Sequence, residues 1–112
     1  MNYSEMSDFE INSEVLAVIE PDVAHMQLSE DQKSFYHCGY DGNGFYETVI
    51  PDYCNSWADA GPIIETGNIS LTCHQSRGFW AAIFNRKCME QHENPLRAAM
   101  IVFLMMKEAG NV

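Results

Sequence analysis

Two adjacent pairs, His37-Cys38 and Cys73-His74, carry the side chains best suited to hold a metal ion or attack a substrate. Structural zinc takes four such ligands in tetrahedral array, and the usual spacings are Cys-x-x-Cys and His-x(3–5)-His. Neither occurs, and 34 residues separate the two pairs. Neighbours on a strand also point to opposite faces, so one pair rarely gives one ion two ligands. Free thiols and surface histidines are the simpler account, and no metal residue is assigned. A nucleophile would need Cys54 or Cys73 beside one of the four histidines, yet nothing in the spacing sets a base against a thiol or pairs donors for an oxyanion. A buried free Cys behaves as a small hydrophobe. Asp41-x-Asn43 starts like a calcium loop whose twelfth position is Asp52, but Phe45 stands where an oxygen ligand belongs and Tyr46 where the loop requires Gly. That reading fails.

Asp52, Tyr53, Trp57 and Asp59 form the remaining candidate surface. The plain account is architectural: Trp57 packs over a hairpin and Gly61-Pro62 sets a tight corner. The functional account is a platform on which Trp57 and Tyr53 anchor a partner beside two carboxylates, since aromatic anchors are the usual energetic centres of interfaces. A rival from another class is a small enzyme or small-molecule-binding protein using Asp52, Asp59 and His74 near a pocket. A deep polar pocket with a carboxylate of raised pKa would favour it, and a flat surface around Trp57 would favour the binding module. No catalytic or cofactor-binding residue is assigned, and no cofactor.

The bulk properties narrow the class. At 112 residues, with 46% apolar and 20% charged residues, the chain suits one domain over residues 1–112 with a single core. The net charge of −10 is uneven: up to Glu65, Lys33 stands against thirteen acidic residues (−12), and from Thr66 onward five basic residues face three acidic ones (+2). Backbone-directed binding of DNA or RNA needs a positive footprint, so direct nucleic-acid binding is not expected. Acidity chiefly favours solubility; a sharper reading is an acidic surface for a basic partner, or a DNA mimic. The N-terminus lacks an apolar signal region. The longest apolar run, 98–106, is nine residues, against the roughly 20 needed to span a bilayer. The expectation is a cytoplasmic protein away from membranes, with Cys38, Cys54, Cys73 and Cys88 as free thiols.

These residues must be positioned by a few elements. Ser7-Asp-Phe-Glu10 has capping-box spacing and opens an apolar-sided helix over 8–19 that Pro21 stops. Ser29-Glu-Asp-Gln32 leaves two options, a short helix carrying Phe35 and Tyr36 or a loop. Asp41-Gly-Asn-Gly44 is a turn signal before a strand at 45–50. Ser56-Trp-Ala-Asp59 has capping spacing, but Gly61-Pro62 is expected to interrupt the helix, with Pro62 opening a second short turn. Runs at 69–74 and 79–84 predict an antiparallel hairpin. Asn94-Pro95 opens a last helix over 95–109, closed by Gly110. It is apolar on nearly every face, so it is either central or shared with a second copy. A homodimer through Met100, Phe103 and Met106 follows from the second option.

Three blocks resemble the NinX-like phage proteins. The opening Tyr3-Ser-Glu-Met-Ser-Asp-Phe-Glu-Ile-Asn12 is similar to the family's start. Asp52-Tyr-Cys-Asn-Ser-Trp-Ala-Asp-Ala-Gly-Pro-Ile-Ile-Glu65 resembles its central motif. Trp80-Ala81 and Pro95-Leu-Arg-Ala-Ala-Met100 resemble its closing strand and helix. The resemblance implies a phage- or prophage-encoded accessory protein of unestablished activity in the bacterial host cytoplasm. It brings no catalytic residue and no cofactor.

The expected architecture is α+β: an N-terminal helix, a small antiparallel sheet of about three strands, and a C-terminal helix packed on the sheet. The leading functional expectation is a non-enzymatic protein-binding module acting through the acidic loop around Trp57, with an unknown host or phage protein as partner.

Overall fold

The computed structural model describes residues 2–38 and 45–111, with backbone alone at 24, 25, 37, 38, 45 and 46. The turn expected at 41–44 and the side chains of His37 and Cys38 lie outside the described residues. After a 3-10 turn at Tyr3–Glu5, helix α1 runs Asp8–Ile19, and its capping box is complete: Ser7 accepts from the Glu10 amide while Glu10 accepts from the Ser7 amide. Ile11, Asn12, Val15 and Leu16 form its buried stripe. Pro21 ends it and starts a second 3-10 turn, Pro21–His25.

Strands β1 (Gln27–Leu28), β2 (Ser34–Cys38) and β3 (Phe45–Val49) make an antiparallel sheet in that order. Phe35 and Tyr36 are therefore strand residues, and Ser29 caps no helix. Its hydroxyl donates to Asp31 at 2.7 Å and accepts from the Ser34 amide at 3.1 Å, closing a tight turn in which Gln32 takes φ 61°. Local Ser and Asp hydrogen bonds compete with helix in this way. They hold the Asp31 carboxyl below its ordinary range, the Ser29 bond foremost.

Helix α2 spans Trp57–Thr66 without a break, with Ser56 as N-cap. The expected interruption at Gly61-Pro62 does not occur. Pro62 removes the amide that would have bonded the Ala58 carbonyl, but both residues are exposed, on the side of the helix where solvent can satisfy a carbonyl.

A second antiparallel sheet follows: β4 (Ser70–His74), β5 (Phe79–Phe84) and β6 (Cys88–His92). The expected hairpin pairs Leu71 with Ala82 and Cys73 with Trp80. The third strand was not expected. It returns through Asn85 and Arg86, at φ 49° and 62°, with the Lys87 amide on the Phe84 carbonyl at 2.9 Å. Two successive positive φ values are the hallmark of the type I′ hairpin turn.

Helix α3, Pro95–Glu108, lies across β5 and β6. Asn94 caps it by accepting from the Leu96 and Arg97 amides. Gly110 at φ 79° closes it: its amide meets the Lys107 carbonyl, and the Asn111 amide meets that of Met106 at 2.8 Å. The sheet covers one side of α3, and α1 and α2 cover the other. This explains why the run from Leu96 to Leu104 is buried throughout. The fold is α+β, with the C-terminal helix on a sheet as expected, but with two three-stranded sheets.

Candidate functional site

The segment between β3 and α2 is held by side-chain amides from distant elements. Asn12, 2% exposed on α1, donates to the Asp52 carboxylate at 2.9 Å and accepts from the Cys54 amide at 3.0 Å. Asn94 donates to the Cys54 carbonyl at 2.7 Å. Asn55 donates to both Asp52 oxygens and to Asp8. Arg97 completes the clasp, donating to Asp8 at 2.7 Å and to the Met6 and Tyr3 carbonyls at 2.6 and 3.2 Å. Among the described residues, every buried side-chain polar atom has a partner. A satisfied network of this kind fixes one arrangement, whereas a broken one is costly.

This clasp decides the fate of several candidates. Cys54 is fully buried, and burial foremost, with the Asp8 carboxylate second, pushes its thiol up to about 12. A thiol at that value is not a nucleophile near neutral pH. Tyr53, expected as a surface anchor, is 5% exposed and sits in the core. Its hydroxyl is pushed up to about 12, first by burial, then by the Asp59 and Glu20 carboxylates. Asp52 is exposed, with its carboxylate engaged by two amides.

Trp57 is different. It is 56% exposed on the first residue of α2. Asp59 is exposed two positions on, in the first turn, where a carboxylate favours the helix N-terminus. Of the four predicted residues, Trp57 and Asp59 are exposed and, among the described residues, their side chains make no hydrogen bond.

The enzyme alternative finds no assembled site. His74, at the end of β4, stacks on Phe79 with centroids 4.8 Å apart. Among the described residues, no hydrogen bond or ion pair joins it to Asp52 or Asp59. A recess of about 340 Å³ beside Asp52 is lined by Asn12, Lys33 and Ile50, with the Lys33 Nζ 5.5 Å above the Phe9 ring. It includes neither Asp59 nor His74.

Sequence reasoning missed two features. The first is the clasp, whose signal was a polar residue on an apolar face: Asn12 among Ile11, Val15 and Leu16, and Arg97 inside the apolar run of α3. The second is an apolar groove of about 500 Å³ between the three helices, with Ile19 from α1, Pro62, Ile63 and Thr66 from α2, and Phe103 and Met106 from α3. Of the three residues expected at a dimer seam, Met100 is 0% exposed, and Phe103 and Met106, at 8% and 2%, form the groove floor. Among the described residues, no helix is long and apolar enough to cross a membrane.

Neither the curated proteins nor the solved structures compared with the chain yield a match. A family model described as "Bacteriophage P22, NinX" matches residues 2–107, nearly the whole length, and the chain belongs to this NinX family of phage proteins.

Proposed function

We propose that this phage accessory protein is a non-enzymatic binding module whose partner, a host or phage protein, docks on the start of α2. The observation that carries this reading is Trp57, left 56% exposed on a helix whose first turn is fixed by the Ser56 cap. A large aromatic held in place loses little conformational entropy when it is covered, which makes it an efficient anchor. Asp59, two positions on in the same first turn, gives the start of α2 a negative charge that selects against acidic partners.

The test is a pull-down from phage-bearing cells with wild type and Trp57→Ala, analysed by quantitative mass spectrometry. At least one protein retained by wild type is expected to be lost with the variant. Trp57 is mostly exposed, so the variant is expected to unfold within about 1 kcal/mol of wild type. Identical retained sets would remove Trp57 from the interface.

A further inference from the structure

The groove between the helices stands apart from the Trp57 side chain and has its own electrostatic character. Three helix C-termini meet around it: α1 supplies its last residue Ile19, α2 supplies Thr66 with its cap Gly67, and α3 supplies Met106 and the following Asn111. The aligned peptide dipoles put about half a negative charge at each C-terminus, softened where capping amides bond the last carbonyls, as at Ile63 and Ile64 of α2 and Met106 and Lys107 of α3. A basic residue in the last turn commonly offsets this, yet α1 and α2 have none and α3 has Lys107 alone.

Side chains add to the same sign. Glu20 directly follows Ile19 and is exposed. Asp59 precedes Pro62 and Ile63 by three and four residues, which places it on the groove-facing side of α2. Glu20 and Asp59 also both act on the Tyr53 hydroxyl, in keeping with two carboxylates on the same side of the core. The floor, in contrast, is apolar, and Ile19 is 44% exposed on its wall. An apolar channel with a negative rim is complementary to a helix with an apolar stripe flanked by cations. A second copy fits poorly, because each chain carries −10 and would bring the same carboxylates.

We propose that this groove docks a cationic amphipathic helix of a partner protein, its apolar stripe on Ile19, Ile63 and Phe103 and its Lys or Arg residues facing Glu20, Asp59 and the ends of α1 and α2. This names the partner chemistry for the binding-module reading and rests on it.

The probe is a fluorescent Leu/Lys amphipathic helical peptide, compared by anisotropy with the same peptide carrying Glu for Lys. The Lys peptide is expected to bind at least about tenfold more tightly, and to weaken with salt. Ile19→Lys and the Glu20→Lys/Asp59→Lys double variant should each lose about tenfold while keeping the wild-type circular dichroism and melting temperature. Glu30→Lys/Glu47→Lys makes the same change in net charge away from the groove and should keep the affinity within about twofold. In labelled protein, amide shifts should cluster at 18–19, 63–67 and 103–111. Equal binding of the two peptides overturns the proposal, as does an equal loss in the Glu30→Lys/Glu47→Lys control. A pull-down partner lost with Trp57→Ala but kept by both groove variants would leave the binding module standing and remove the groove.

Discussion

Tyr53 and Trp57 are four residues apart and have opposite fates because of Cys54, which lies between them. Cys54 is drawn inward by both of its backbone groups, the amide to Asn12 and the carbonyl to Asn94. Tyr53 goes in with it, and Trp57 begins the next helix on the outside. Burial of these two acids has a consequence for alkaline stability. The Cys54 thiol moves from 9.0 to about 12 and the Tyr53 hydroxyl from 10.0 to about 12. Both folded values are raised, so the full contribution is present below pH 9 and is lost as pH rises through about 12. Between those limits the unfolded chain has released a proton that the folded chain retains. At pH 10.5 the Cys54 share is about 2 kcal/mol. Urea midpoints should be flat from pH 7 to 8.5 and fall above 9, and Cys54→Ala should delay the fall to about pH 10, where Tyr53 begins. A wild-type midpoint that stays level to pH 11 would contradict this. The exposed Trp57 was open in sequence, since a Trp beside a capping Ser fits either side of a surface. The clasp was only half legible: Asn12 and Arg97 broke apolar faces visibly, but their partners lie 40 residues and more away.

The elements with local punctuation were readable. α1 and α3 carry a capping box, an Asn-Pro start and a Gly stop, and each spans the expected residues to within one position. β6 was not readable, because Cys88-Met-Glu-Gln-His92 has neither β-branched nor aromatic residues and Asn85-Arg86 lacks the usual turn Gly. Pairing with Phe79–Phe84 and cover by α3 impose strand where propensity does not. α2 shows the reverse case, in which a strong breaker fails because the carbonyl it orphans lies on the exposed side of the helix. This makes α2 improvable. A Cβ added at Gly61 meets nothing within 4 Å, so Gly61→Ala should stabilise by about 0.5–1 kcal/mol through lost unfolded-state entropy. Pro62→Ala restores a backbone amide and should stabilise by about 1–2 kcal/mol, less than the full helix-interior penalty because solvent can already satisfy the Ala58 carbonyl. Thermal melts would check both, and a lower melting temperature for Pro62→Ala would mean that the ring's packing at the groove outweighs the recovered bond.

At the scale of the whole molecule, the charge asymmetry and the central helix bear on the same question, whether this chain pairs with itself. The all-apolar α3 suggested a shared helix because a single small sheet covers only one side. Two helices cover the other side here, and that reason for a second copy disappears. What remains is the groove, which is lined by Phe103 and Met106. Its rim is negative, and the positive half of the chain offers little to meet it. Arg97 is spent on Asp8, Arg77 lies at the β4–β5 turn, Arg86 and Lys87 at the β5–β6 turn on the opposite end of the sheet, and the exposed Lys107 in the last turn of α3, next to the groove residue Met106. Among the described residues these cations are dispersed over the two ends of the sheet and the end of α3, so a second copy offers the negative rim little complementary charge. Light scattering at micromolar concentration should therefore give 12.7 kDa at low and moderate salt. A doubled mass that appears only as salt screens the rim, and that Ile19→Lys abolishes, would instead place a second copy in the groove and displace the cationic partner.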